Sequence, residues 1–246
     1  MVYIEDFGVA GSRDTSGMVD TNSEGETIHS TDEQERLRIL RSYQILDTPE
    51  EPEFDSLTRL ATRLCEVPIA TVTLVDANRQ WFKAKTGLTV AETSRDVAFC
   101  DYAIRDTQPL VIPDTLLDPR FRDNPLVTGD PHLRFYAGIP LVTPEGAIIG
   151  TFCAMDRKPR ELSPRQMEDL TGLAHQAMAQ LELRRQRTQL AGLLIQQERS
   201  AQLLQVQTEH LVEAQRIAQV GSWEYEIEPN RLTWSKIGRA SCRERV

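Results

Sequence analysis

The sequence predicts an α+β fold: an antiparallel sheet flanked by helices and followed by one long C-terminal helix. Three observations predict it. Two amphipathic helix patterns precede the first strand-like run, short apolar and Thr-rich runs separated by turn residues recur from residue 69 to residue 153, and from residue 183 the apolar positions fall into a seven-residue repeat. Hydrophobic residues make up 40% of the 246, enough for a packed core.

The elements follow in order. Residues 1–30 hold six acids and one base among Gly, Ser and Thr, a composition that predicts a disordered acidic leader. Thr31 with Gln34 three positions on reads as a capped helix start, with Leu37, Leu40 and Tyr43 on one side. A second start lies at Thr48-Pro49-Glu50-Glu51: Thr48 as cap, Pro49 at the first helical position and Glu51 completing the box. That helix runs to about Leu64 and buries Phe54, Leu57, Leu60, Ala61 and Leu64.

Ile69 to Val75 reads as a strand, closed by the turn Asp76-Ala77-Asn78. Gln80 to Ala84 completes a hairpin, with Trp81 and Lys83 on one face and Phe82 and Ala84 on the other. Val97 to Ile104 reads as a short helix and Leu110 to Ile112 as a short strand. A proline- and aspartate-rich loop from Leu117 to His132 carries one helical turn at Pro119 to Asp123. Phe135 to Pro140 and Ala147 to Cys153 form a last hairpin around Thr143-Pro144-Glu145-Gly146, giving five strands in all.

Ser163, Pro164 and Gln166 mark the start of the closing helix, and its pattern continues through Leu170, Leu173, Ala174, Ala177 and Leu181. Beyond it, Leu183, Leu190, Gln197, Leu204 and Leu211 recur every seventh residue, with Arg187, Leu194, Ala201 and Thr208 as a weaker second column. This is a coiled-coil signal, and Gln197 at an inward position fixes register. A long helix packed on a partner of another kind is the alternative. After Ala214 the alternating stretch Trp223 to Ile227, the turn Pro229-Asn230 and Leu232 to Trp234 read as the opening of a second domain, too short for a core of its own.

Several function classes are excluded. With Lys plus Arg at 28 against Asp plus Glu at 37, the net charge is -9, which argues against a nucleic-acid binder. No apolar run reaches a bilayer span and the N-terminus lacks a signal-peptide pattern, so a cytoplasmic protein is expected. Cys65, Cys100, Cys153 and Cys242 form no Cys-x-x-Cys pair and the four histidines are dispersed, so no metal site is expected. Phosphate-loop and dinucleotide fingerprints are absent and no nucleophile–base pair has motif spacing, so no catalytic residue is assigned and no cofactor is identified.

The candidate ligand-binding residues are Trp81, Cys100, Asp114, Arg120, Arg134 and Tyr136. Trp81 and Tyr136 offer aromatic surface, against simple core packing. Cys100 is either a reactive thiol or an ordinary buried cysteine. Arg120 and Arg134 either contact an anion or close Asp–Arg bridges that fasten the long loop, with Asp114 and Asp118 as partners. His132 is a base without a motif partner, and Glu92-Thr93-Ser94-Arg95 reads as an architectural turn.

Residues 36–182 resemble a GAF domain of the type at the input end of bacterial sensor histidine kinases and cyclic-di-GMP enzymes. The likeness rests on Arg36 to Leu46 with Asp47-Thr48-Pro49, Phe54-Asp55, Arg79-Gln80-Trp81-Phe82-Lys83, Glu92-Thr93-Ser94-Arg95 and Phe99-Cys100. It continues through Pro109-Leu110-Val111, Asp118-Pro119-Arg120-Phe121, Asn124-Pro125-Leu126-Val127, Arg134-Phe135-Tyr136-Ala137-Gly138 and Gly150-Thr151-Phe152-Cys153. The resemblance implies a small-molecule sensing and dimerising module with a pocket between the sheet and its covering loops. Residues 214–235 resemble the start of a PAS domain, which would place a signalling helix between the two.

The expected organisation is a leader over 1–30, a GAF domain with its lead-in helix over 31–182, a signalling coiled coil over 183–213, a truncated PAS start over 214–235 and a non-native tail over 236–246. The expected function is a sensory input module of a bacterial signal-transduction protein, a parallel homodimer that couples an unidentified small-molecule ligand or a partner to an output domain. Alternatives are the N-terminal fragment of a histidine kinase, with no phosphoacceptor or ATP-binding signature in this chain, and a domain acting only in dimerisation. Some GAF domains reduce free methionine sulfoxide with clustered cysteines, but Cys65, Cys100 and Cys153 show no recognisable form of that cluster.

Overall fold

The computed structural model describes residues 25–218, 223–226 and 231–234. The chain divides into two units, Met1–Leu181 and Glu182–Val246. In the first, α1 (Gly25–Ser42) and α2 (Pro52–Leu64) precede β1 (Ile69–Val75), β2 (Arg79–Thr86) and β3 (Glu92–Ser94). A 3-10 turn over Arg95–Val97 leads into α3 (Phe99–Ala103), then β4 (Leu110–Ile112), α4 (Pro125–Thr128), β5 (Phe135–Val142), β6 (Ile148–Asp156) and α5 (Pro164–Ala218). The strands form one six-stranded sheet in the order β3-β2-β1-β6-β5-β4, every neighbouring pair antiparallel.

Both faces of this sheet are covered, which is why β1 is buried at every position. One face packs Ala70, Val72 and Leu74 of β1 and Phe152 of β6 against Leu40 and Tyr43 of α1, Phe54 and Ala61 of α2, and Leu170, Ala174, Ala177 and Leu181 of α5. The other carries Tyr136, Cys153 and Met155 against Phe99, Cys100 and Ala103 of α3 and Phe121 and Val127 of the long loop. The α5 start is a reciprocal capping box, with Gln166 N donating to Ser163 Oγ at 3.3 Å and Ser163 N to Gln166 Oε1 at 3.0 Å. Gly146 closes the β5–β6 turn at φ +85°, a conformation open to glycine at no steric cost.

Several sequence expectations are corrected. The sheet has six strands, not five, because Glu92–Ser94 pairs with β2 as an edge strand before the turn at Arg95. The α1 helix begins at Gly25, ahead of the cap expected at Thr31. The α2 helix begins at Pro52, three residues after the Pro49 start, because the capping groups are engaged elsewhere: Thr48 Oγ1 and Glu51 Oε1 both accept from Lys83 Nζ, at 3.0 and 2.7 Å. Leu60 and Leu64 are 43% and 38% exposed, since the face of α2 that meets the core is the Phe54, Thr58 and Ala61 stripe. A bulge opposite Val72 and Thr73 breaks the alternation of β2 at Lys83, so Ala84 joins Trp81 in the helix-facing core instead of lying with Phe82. The helix expected over Val97 to Ile104 is interrupted at Ala98, whose extended backbone separates the 3-10 turn from α3.

In the second unit α5 continues to Ala218 with Leu183, Leu190, Leu194, Leu204 and Leu211 exposed, Leu204 at 63% and Leu211 at 65%, and Gln197 exposed in the same column. β7 (Trp223–Glu226) and β8 (Arg231–Trp234) pair antiparallel, Trp223 opposite Trp234. Among the described residues no helix is long and apolar enough to cross a membrane. The turn expected at Pro229-Asn230 and the tail expected over 236–246 lie outside the described residues, as does the leader before residue 25.

Candidate functional site

The face of the sheet opposite α1, α2 and α5 encloses a cavity of about 50 Å³. Its floor is Thr71 and Thr73 of β1 with Phe82 of β2, and its cover is Phe99 and Cys100 of α3 with Leu126 and Leu133 of the long loop. Period-two alternation selects these positions: the odd residues of β1 lie on the loop face, Thr71 and Thr73 of them lining the cavity, while Ala70, Val72 and Leu74 face the helices. Asn124 holds the cover in place, its Nδ2 donating to Val97 O at 3.0 Å and its Oδ1 accepting from Leu126 N at 2.9 Å as the cap of α4. Phe99 stacks on Phe121 at 4.4 Å and on Tyr136 at 5.1 Å.

Polar groups in this apolar shell are few and close together. Cys100 Sγ lies 3.6 Å from Cys153 Sγ, and Tyr136 Oη stands 3.5 Å from the first and 3.4 Å from the second. Thr151 Oγ1 lies 3.0 Å from Cys153 Sγ. The ladder explains the gathering: Thr71 and Gly138 are the β1 and β5 neighbours of Cys153, and Thr73 is the neighbour of Thr151. Gly138 makes room for the phenol, because a Cβ there would collide with the Tyr136 ring and hydroxyl. Burial pushes the Cys100 thiol and the Tyr136 hydroxyl well up. Burial opposes ionisation of Cys153 as well, yet hydrogen bonds from Cys100, Thr151, Tyr136 and Thr71 outweigh it and hold that thiol below the ordinary range. Gln80, 4% exposed and part of the cavity lining, donates from Nε2 to Thr93 Oγ1 at 2.6 Å, while its Oε1 is buried without a hydrogen-bond partner.

The structure brings together two of the six sequence candidates, Cys100 and Tyr136. Trp81 lies in the helix-facing core, near Lys83 Nζ at 6.0 Å. Arg134 forms a bidentate pair with Asp114, at 2.9 and 2.7 Å, and Arg120 pairs with Asp118 at 2.6 Å while lying 5.1 Å from the Phe121 ring. Both guanidinium groups fasten the long loop from outside the cavity. His132 is on the surface of that loop. Thr71, Thr73 and Gln80 of the cavity lining, and Cys153 and Thr151 of the polar cluster beside it, are absent from the sequence candidates. The signal that finds them is strand alternation combined with strand order, and the order is not written in any one segment.

Most of the polar motif residues act as tethers. Lys83, its side chain fully buried, ties the 48–51 segment to β2 through Thr48, Pro49 O at 2.6 Å and Glu51. Arg79 joins Asp47 and Glu92. Arg95 binds Glu33 of α1, Asp101 of α3 and the carbonyls of Asp76 and Ala77, which makes the Glu92-Thr93-Ser94-Arg95 stretch an architectural knot. Arg36, 7% exposed, donates to Val75 O at 2.7 Å and fixes α1 to the end of β1. No group of three or more metal-ligating side chains exists among the described residues.

The GAF domain family matches residues 49–181. A cyclic di-GMP phosphodiesterase of Pseudomonas aeruginosa is 40% identical over 151 residues, 61% of this chain, and the chain spans 26% of that protein's length. Among solved structures, the GAF domain of an Acinetobacter phosphoenolpyruvate-protein phosphotransferase is 15% identical with a TM-score of 0.47, covering 61% of this chain and 92% of that one. A free methionine-R-sulfoxide reductase from Neisseria meningitidis is 14% identical with a TM-score of 0.47, over 70% of this chain and 98% of that one.

Proposed function

The chain belongs to the GAF domain family, and on that premise we propose that residues 31–182 receive a small-molecule or partner signal at the covered face of the sheet and pass it to a parallel pair of α5 helices. The observation that carries this reading is the course of α5. Up to Leu181 its apolar residues are core; from Leu183 its leucines are exposed at seven-residue spacing, and they would be buried against a second copy. Residues 183–213 are then a signalling coiled coil, and a ligand acts on it only by favouring one of two helix packings.

The output that this module serves is a cyclic-di-GMP enzyme or a histidine kinase. The 40% identity to a phosphodiesterase over this region supports the first. The GAF portion is an input, not a catalyst. Residues 214–235 are proposed as the start of a PAS domain, a reading supported by the pairing of β7 with β8. A cytoplasmic setting fits a module of this kind.

Sedimentation of the full chain tests the pairing. A dimer at micromolar concentration, converted to monomer by Leu190→Asp with Leu204→Asp, is expected; a monomer at high micromolar concentration overturns the reading. The small size of the cavity, about 50 Å³, favours a second reading in which the domain only dimerises. A ligand that binds the cavity and changes helix packing would count against that second reading.

A further inference from the structure

We propose that Cys100 and Cys153 form an oxidisable dithiol site, converted to a disulfide by hydrogen peroxide or a short alkyl hydroperoxide that enters the adjoining cavity. Three features carry it. The two sulfurs are in contact at 3.6 Å from different elements, one on a five-residue helix and one on a strand paired on both sides. Closing that contact to the bonded distance of about 2.05 Å needs a shift of the short helix rather than of the sheet. Cys100 faces the cavity, whose volume admits a molecule of a few heavy atoms. Gln80 Oε1, buried and unpartnered in the same cavity lining, is an acceptor for the O–H that a hydroperoxide carries.

The hydroxyls of Tyr136 and Thr151 donate toward sulfur and stabilise the single negative charge that the pair takes on when it loses one proton. The charge rests first on Cys153; the Cys100 proton then passes to it across the 3.6 Å contact, which leaves the thiolate on Cys100, the sulfur that lines the cavity, and this thiolate attacks the terminal peroxide oxygen. An S–O bond forms, the O–O bond breaks, and the departing oxygen takes a proton and leaves as an alcohol, or as water from hydrogen peroxide. The Cys153 sulfur then attacks the Cys100 sulfur; an S–S bond forms, the S–O bond breaks, and hydroxide leaves with the Cys153 proton as water. Two thiols supply the two electrons that reduce one O–O bond. Cys65 is the internal contrast: it lies alone in the helix-facing core, donating weakly to Gln166 O at 3.9 Å, and burial pushes its thiol up to about 11.

The proposal does not depend on the pairing of α5, because it is read within one chain. The full chain is exposed to a tenfold excess of hydrogen peroxide, quenched, alkylated in denaturant and mapped by peptide mass spectrometry. The expected result is a fall from four free thiols to two, a mass loss of two hydrogens, one linked peptide pair joining Cys100 to Cys153 that dithiothreitol reverses, and Cys65 fully alkylated. In a Cys153→Ala chain, oxidation stops at a Cys100 sulfenic acid that dimedone captures. Recovery of both thiols unoxidised from the native chain, or linkage through Cys65 or Cys242 in their place, overturns the proposal; the native-chain map decides this even where the variant fails to fold.

Discussion

The two faces of the sheet are buried to similar depth and serve different ends. Against α1, α2 and α5 the interior is aliphatic and aromatic, with the charges of Lys83 and Arg36 held at its edge, the first by Thr48, Pro49 and Glu51 and the second by Glu33 and Val75 O. Against α3 and the long loop it holds two thiols, a phenol, threonine hydroxyls and an unpartnered amide oxygen. A well-packed hydrophobic face needs no polar atoms for stability, and buried polar atoms cost free energy unless they are paired. The difference assigns stability to the helix face, and it is on the loop face that the proposed dithiol chemistry would take place.

Substitutions sharpen that contrast. Phe152→Ala on the helix face removes a fully buried ring and is expected to cost about 3–5 kcal/mol in urea unfolding, the largest effect, while leaving the thiol pairing of the folded fraction unchanged. Lys83→Met breaks a charge pair whose lysine is fully buried and whose glutamate is one-third exposed; it should cost about 2 kcal/mol, less than a wholly buried pair, and free the 48–51 segment, read as faster amide exchange there. Tyr136→Phe on the loop face loses a hydrogen bond to sulfur. It should cost only about 1 kcal/mol in unfolding while raising the pH at which the first thiol of the pair reacts with an alkylating agent. A loop-face change that destabilises as much as Phe152→Ala would erase the distinction.

A pH effect is smaller and separable. Burial alone would raise the Glu33 carboxyl, but hydrogen bonds and charge from Arg36 and Arg95 lower it from 4.5 to about 2. The folded value lies below the unfolded one, so this contribution is intact above about pH 4.5 and is lost as pH falls toward 2. Urea midpoints measured between pH 6 and pH 3 should fall less steeply for Glu33→Gln than for the native chain. Smallest of all, Leu204→Asp should change the stability of the first domain by less than about 0.5 kcal/mol, since its side chain is exposed within one chain.

How far these features are legible in the sequence follows from the range of the interactions. The β1 bounds, the β4 bounds and the Ser163 capping box are local, and the sequence reading matches the structure there. The true α2 start is not local: Thr48 and Glu51 look like caps until Lys83, more than thirty residues on, engages them. The site is legible in the same measure. Cys100 and Tyr136 stand out by type, whereas Cys153 becomes visible only once β6 is placed between β1 and β5, which sets it opposite Thr71 and Gly138. Lys83, a charge in the middle of β2 flanked by apolar residues, is the local mark of the first arrangement, and the glycine two residues after Tyr136 is the local mark of the second.

The pairing of α5 is tested most directly by spin-label distances in the full chain with Thr188→Cys and Glu209→Cys introduced one at a time in a Cys242→Ser background. Both positions lie on the outer side of the heptad defined by Leu183 and Leu190. A parallel pair predicts one short distance at each, roughly 20 Å from the width of two touching helices. Absence of interchain coupling at both positions, or distances that place residue 188 of one copy far from residue 188 of the other, would contradict the parallel signalling helix.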